Sequence, residues 1–174
     1  LRHTAAALTG PDGEALAQRL AARHPHALID EFQDTDPLQW QIFRTIWTRP
    51  PARSLTVVGD PKQAIYSFRG GDVHTYLGAL EDLRQRGAAR RDLTVCQRAT
   101  DDAVAAINTL LTSPTPVFDG APGRIGYPVP VTATGKVQLA RADGRPVAPL
   151  AILHFPTQPP APELKATLAE AIAD

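Results

Sequence analysis

The sequence predicts an α/β protein in which a parallel sheet lies between layers of helices. Short apolar runs at residues 27–29, 55–58 and 92–96 alternate with segments of helical periodicity. Strand, helix, strand, helix, strand, helix is the pattern of a three-layer core with parallel strands. The first run ends abruptly in Asp30 and Glu31, the second in Gly59-Asp60-Pro61. Buried parallel strands look like this when they carry polar groups to the C-terminal edge of a sheet, where open α/β folds bind ligands.

Residues 1–10 carry no strong signal. In GEALAQRLAAR, residues 13–23, Leu16 and Leu20 stand four apart among small residues, which predicts an amphipathic helix. The strand at 27–29 follows. Asp36-Pro37-Leu38-Gln39 then reads as a helix start: Asp36 caps, Pro37 suits the first helical position, and Gln39 reaches back as in a capping box. Along this helix Trp40, Phe43 and Trp47 recur at i, i+3 and i+7, with Ile42 and Ile46 widening the stripe. A core face packed on the sheet is expected. Pro50-Pro51 ends the helical region.

After the second strand, Asp72 is expected to cap a helix reaching about Arg86, with Tyr76, Leu77, Leu80 and Leu83 on its apolar side and Gly87 as terminator. The strand at 92–96 precedes a helix capped by Thr100, whose first turn carries Asp101 and Asp102 toward the positive end of the dipole. Composition changes at Ser113. Prolines and glycines crowd 114–130, predicting irregular surface chain. Strands are expected at 136–140 and 150–155, joined as a hairpin around Asp143-Gly144. Residues 156–162 read as a stiff linker. A last helix spans 163–174, with Leu164, Leu168 and Ile172 in register.

At 174 residues the chain can form one sizeable domain or parts of two. It contains no methionine, and its final helical pattern is still running at the last residue. A piece of a longer protein is therefore expected. The formal net charge is zero, so no global field draws the chain to nucleic acid, and any such contact must be local. Arg84, Arg86, Arg90 and Arg91 cluster, but a solvated helix end accounts for them. One cysteine excludes an internal disulfide framework and suits a reducing cytosol. No signal peptide or membrane-length apolar run is present, so a cytoplasmic location is expected.

Two strand ends bring acids, an amide (Gln63), two aromatic rings (Tyr66, Phe68) and Arg69 into two short stretches. That combination suggests a nucleotide site that also touches DNA. The stretch IDEFQDTDPLQ resembles motif II, the Walker B segment, of superfamily 1 helicases of the UvrD/Rep/RecB group. VGDPKQAIYSFRGGD resembles their motif III, and the wording is closest to the RecB branch, the beta-subunit type of exodeoxyribonuclease V. Both motifs stand in the right order, joined by one helix and one strand. The resemblance covers about residues 27–111 and is looser beyond.

It implies a RecA-like (P-loop NTPase) fold, with residues 1–91 completing the first RecA-like domain and 92–174 opening the second. It implies ATP and Mg2+ as cofactors. Magnesium keeps several waters and needs only one or two carboxylates beside phosphate oxygens. Asp30 is then the metal residue and Glu31 the catalytic base. Both serve one site only if the chain is already turning at Glu31, because successive strand residues face opposite ways. Gln63 matches the glutamine that senses the γ-phosphate. Phe68 matches an aromatic on which a DNA base stacks, a contact indifferent to sequence. Core packing is the other reading of Phe68, and of Tyr66. Arg69 pairs either with phosphate or with a motif II carboxylate. Asp60 holds its own loop, contacts Gln33 or Asp34, or is an ordinary turn residue.

Residues 93–108 resemble motif IV more weakly. Arg98 falls on the arginine that reaches the γ-phosphate from the second domain, but Cys96, Gln97 and Ala99 depart from the motif. A surface role for Arg98 stays open, and Cys96 is expected to be buried as a small apolar residue. No G-x-x-x-x-G-K-[ST] occurs, so the phosphate loop is expected upstream and the isolated chain is expected to be inactive. The resemblance implies a subunit that couples ATP hydrolysis to movement along single-stranded DNA and unwinds duplex ends. In double-strand break repair it would join the gamma and alpha subunits of exodeoxyribonuclease V. Another UvrD/Rep or AddA-type helicase is the nearest rival. A degenerate, non-hydrolysing helicase-like scaffold is the more distant one.

Overall fold

A computed structural model of the chain describes residues 1–114, 117–118, 125–136, 139–140, 143–145, 147–150 and 160–173, with backbone alone for Arg69 and 171–173. The order is α1 (Arg2–Thr9), α2 (Gly13–Arg23), β1 (His26–Ile29), α3 (Pro37–Trp47), β2 (Ser54–Val57), α4 (Val73–Gln85), β3 (Val95–Cys96), α5 (Asp101–Leu111), β4 (Thr132–Ala133) and α6 (Ala161–Ala173). Two compact units divide it: Leu1–Leu93 with Leu111–Pro130, and Thr94–Leu110 with Val131–Asp174. The chain is mixed α/β with parallel strands.

In the first unit β1 and β2 pair in parallel, from His26 beside Ser54 to Ile29 beside Val57. The ladder continues past both strands: Val58 N–H donates to the Ile29 carbonyl at 2.8 Å, and Phe32 N–H to the Val58 carbonyl at 2.9 Å. Ile29 and Val57 pack beneath the aromatic core, while Leu28 on the opposite face is 71% exposed. The strands alternate exposed and half-buried positions rather than running apolar throughout. Among the described residues, then, helices cover one face of this pair, and the expected third layer is not seen.

Two cores flank α3. Ile42 and Ile46 pack with Ala5 and Leu8 of α1 and Ala17 and Ala21 of α2. Trp40 and Phe43 pack toward Phe32, Tyr76 and Ala79. The stripe expected to lie on the sheet is therefore shared between a helical cluster and the aromatic one. Helix α1 had no strong signal because its buried face is only Ala5 and Leu8. Tertiary packing, rather than a bold apolar stripe, holds such a helix. At the start of α3 both halves of the capping box form: Gln39 N–H donates to Asp36 Oδ1 at 2.8 Å, and Asp36 N–H to Gln39 Oε1 at 3.0 Å.

Asp72 caps α4 through His74 and Thr75 N–H at 3.0 and 3.2 Å. The Thr75 hydroxyl is the main influence holding its carboxyl below the ordinary range. Gly87 follows with φ 83°, a left-handed terminator. The arginine cluster is solvated and paired, Arg84 with Glu81 at 2.8 Å, Arg86 with Asp82 at 3.1 Å and Arg90 with Asp92 at 2.7 Å.

In the second unit the strand expected over 92–96 contracts to Val95–Cys96, paired in parallel with Thr132–Ala133. Leu93 is 86% exposed, so no packing extends the strand backward. Strand β4 is two residues long, too short for alternation to announce it. Asn108 of α5 clasps its entrance, donating to the Val131 carbonyl at 2.8 Å and accepting from Val131 N–H at 3.3 Å. Thr100 caps α5 through Ala103 N–H at 3.2 Å.

The expected strand at 136–140 is not formed at Lys136, Leu139 or Ala140, and its middle lies outside the described residues. Asp143-Gly144 does turn, with Arg145 N–H on Asp143 Oδ1 at 3.0 Å and Gly144 at φ 77°. The partner strand expected from Leu150 lies outside the described residues beyond its first position, as does the linker at 156–159. Helix α6 begins at Ala161, so the end of the expected linker is helical. Pro162 is tolerated there because first-turn N–H groups have no helical partner.

Candidate functional site

Parallel pairing sets the C-terminal ends of β1 and β2 side by side, so Asp30-Glu31 and Gly59-Asp60 leave the sheet together. Glu31 turns at φ 51°, ψ 39°, and no other described non-glycine residue has positive φ. Such a conformation costs about 1–3 kcal/mol and needs support from its surroundings. Asp30 supplies some, accepting the Glu31 N–H at its own Oδ1, 2.9 Å away. Here is the turn that two successive carboxylates need to address one site.

Gln33 joins the two strand ends. Its side chain is buried, at 2% exposure. Nε2 donates to Glu31 Oε2 at 2.7 Å, while Oε1 accepts the Asp60 N–H at 3.1 Å. Gly59 makes room for it: a Cβ there would fall 2.7 Å from Gln33 Oε1 and 3.1 Å from the backbone nitrogens of Phe32 and Gln33. Phe32 itself is fully buried, edge-on to Trp40 and tilted against Tyr76. It fixes the segment from below.

Of the roles open to Asp60, its carboxylate takes the loop. It accepts Lys62 N–H at 3.0 Å, Lys62 Nζ at 2.7 Å and Gln63 Nε2 at 3.3 Å, while only its N–H reaches Gln33. Burial alone would raise this carboxyl, but the Lys62 and Gln63 hydrogen bonds outweigh it and hold the group below its ordinary range. Tyr76 donates to the Gly59 carbonyl at 3.1 Å. Burial, then the nearby negative Asp60, push its phenol upward. Hydrogen bonds thus link Glu31 to Gln33, Gln33 to the Asp60 backbone, and the Asp60 carboxylate to Gln63.

Beyond this turn Tyr66 and Phe68 stand with ring centroids 6.0 Å apart and planes at 57°. Tyr66 is 40% and Phe68 76% exposed, so Phe68 is not packed in the core that the described residues form. The loop is held to the first motif behind them: Asp72 N–H donates to the Thr35 carbonyl at 3.4 Å. A Cβ on Gly71 would come within 3.2 Å of Asp34 Cα. The Arg69 side chain lies outside the described residues.

Arg98 is exposed and belongs to the other compact unit. Cys96 is half-buried rather than fully buried as expected. Its two-residue strand cannot enclose it, and the Arg98 N–H, then the Ala99 N–H, approach its sulfur and lower the thiol pKa. Sequence reading assigned Gln33 no site role of its own. An amide two residues after Glu31 was the available signal.

Among the described residues no three His, Cys, Asp or Glu side chains gather as a metal cage. The donor chemistry at Asp30 fits a magnesium ion held mainly by phosphate and water: one carboxylate, exposed, with a second beside it. No helix among the described residues is long and apolar enough to cross a membrane.

Residues 2–84 match the UvrD/REP helicase N-terminal domain. The chain is 41% identical over 135 residues to the RecBCD enzyme subunit RecB of Escherichia coli (strain K12), covering 78% of this chain and 11% of that protein. It is 39% identical over 120 residues to RecB of Haemophilus influenzae, covering 68% of this chain and 10% of that protein. To RecB of Mycobacterium tuberculosis (strain ATCC 25618 / H37Rv) it is 44% identical over 107 residues, 62% of this chain and 9% of that protein. The chain spans about a tenth of the length of these relatives. Residues 2–84, which hold every candidate residue but Arg98, are thus a RecB-like segment of the UvrD/Rep helicase type.

Proposed function

We propose that this chain forms one lip of the ATP-hydrolysing site of a RecB-like DNA helicase subunit. Asp30 holds the Mg2+ that accompanies ATP, a charge that offsets the growing negative charge on phosphate. Glu31 accepts a proton from the water whose oxygen attacks the γ-phosphorus as the bond to ADP breaks. Gln63 reports that cleavage by losing a hydrogen bond. Tyr66 and Phe68 offer rings to single-stranded DNA, with Arg69 beside them for phosphate. Hydrolysis then drives movement along one strand and unwinding of duplex ends. The assembly in which this happens is the exodeoxyribonuclease V type, with gamma and alpha subunits and a nuclease, acting in the cytoplasm in double-strand break repair and recombination. The RecA-like three-layer fold belongs to this reading.

The observation that carries it is the set of hydrogen bonds linking Glu31, Gln33, Asp60 and Gln63, three residues before an exposed aromatic pair. A full-length subunit bearing this segment tests it. Glu31→Gln should cut DNA-stimulated ATP turnover by ~10²–10⁴-fold, the usual worth of a general base, while nucleotide binding persists. Near-normal turnover would remove the base assignment. The departures at Cys96, Gln97 and Ala99 favour a second reading, a scaffold that binds DNA without hydrolysis. Wild-type protein that binds single-stranded DNA yet turns over no ATP would select it.

A further inference from the structure

We infer that Gln33 is a positioning residue, which aims the Glu31 carboxylate and ties that aim to the turn leading into the aromatic loop. This rests on the reading of Glu31 as the base. A carboxylate at a strand end swings about three side-chain torsions, and Glu31 is exposed. Gln33 removes that freedom for one oxygen, Oε2, which receives Nε2–H at 2.7 Å and leaves Oε1 for a water. The Gln33 amide is held in turn. Its oxygen receives the Asp60 N–H, its surroundings leave it 2% exposed, and Gly59 admits it to a space no side chain could share. The assignment of amide oxygen and nitrogen follows from these partners, since Asp60 N–H can only donate and the carboxylate only accept.

Glutamine suits the position because one side chain must both donate and accept. Glutamate would keep the Asp60 bond but set a carboxylate against Glu31; leucine would keep the volume and lose both bonds. Asp60 in turn holds Lys62 and Gln63. A shift of the turn when DNA occupies the aromatic loop therefore reaches the base through the Gln33 amide, beside the backbone ladder that already joins the two strand ends.

Steady-state ATPase with single-stranded DNA, on the full-length subunit, is the test. Gln33→Glu should lower kcat by about 10–100-fold, the worth of one hydrogen bond to a charged group expressed as a rate. KM for ATP should stay within about threefold, because the interaction orients rather than binds. In a Glu31→Gln background the same change should have little further effect, since its target is gone. If Gln33→Leu does not fold, Gln33→Glu, nearly isosteric, still decides. Full turnover by Glu31→Gln alone would overturn the base reading, and the positioning role with it. An inactive Glu31→Gln beside a fully active Gln33→Glu would overturn the positioning role only. So would an undiminished loss in the Glu31→Gln background, or a kcat loss matched by equal changes in KM and melting temperature.

Discussion

The Tyr76 hydroxyl donates to the Gly59 carbonyl at 3.1 Å, so helix α4 grips the turn that follows β2. Tyr76 also packs against Phe32, and one side chain thus steadies both strand ends. Tyr76→Phe keeps the packing and removes only the hydrogen bond. The chain should lose about 0.5–1.5 kcal/mol of stability, read from its urea midpoint at unchanged slope. An unaltered midpoint would mean that water replaces the phenol without cost.

Gly59 is the tighter constraint. A methyl group can displace Gln33 Oε1, but the Phe32 and Gln33 nitrogens at 3.1 Å are backbone, and the Phe32 N–H is held by the Val58 carbonyl. Gly59→Ala should therefore cost ~1–3 kcal/mol, as overpacking does, and should detach Gln33 from the Asp60 N–H. Urea unfolding measures the first effect. Hydrogen exchange at the Asp60 amide measures the second, and unchanged protection there would refute the contact argument.

What could be read beforehand follows from where the determinants lie. Asp36 and Gln39 form their capping box within four residues, so the start of α3 was legible. Leu16 and Leu20 likewise announced α2. The turn at Glu31 was legible as a requirement, because two carboxylates in succession cannot otherwise share a site. Gln33 was not legible as a bridge: its partner Asp60 is 27 residues away and contributes a backbone N–H, which no side-chain pattern encodes. Helix α1 hid behind alanines, and β4 is too brief for periodicity. The expected strand at 92–96 shortened to Val95–Cys96, because Leu93 stands exposed before it.

Acid should loosen the Asp60 turn. Its folded carboxyl lies below the unfolded value, because the Lys62 and Gln63 hydrogen bonds outweigh the opposing effect of burial. A depressed folded pKa means the stabilisation is present above the unfolded value, ~3.9, and disappears as pH falls through the lower folded value. Melting temperature should drop on acidification below about pH 4. Asp60→Asn should flatten part of that slope, not all, since Asp72 and Asp82 are lowered too. An identical slope in the variant would show that the turn contributes nothing.

Phe68 separates stability from function most cleanly. A buried Phe→Ala change costs ~3–5 kcal/mol of stability and lowers every activity together. With 76% of its surface exposed, Phe68 has little of that burial to lose. Phe68→Ala should leave the melting temperature within about 2 °C, as expected for a change well under 1 kcal/mol. Single-stranded DNA binding by the full-length subunit should nonetheless weaken by ~1–3 kcal/mol, the worth of one base stack. Sequence preference should not change, because every base offers a π-face. Tyr66 lies 6.0 Å away and is itself half covered, so Tyr66→Ala should show a smaller loss of DNA affinity and a larger loss of stability. Fluorescence anisotropy with a labelled oligonucleotide, alongside thermal melts of the same samples, reads both quantities. Undiminished affinity in a fully folded Phe68→Ala protein would remove DNA stacking from this loop.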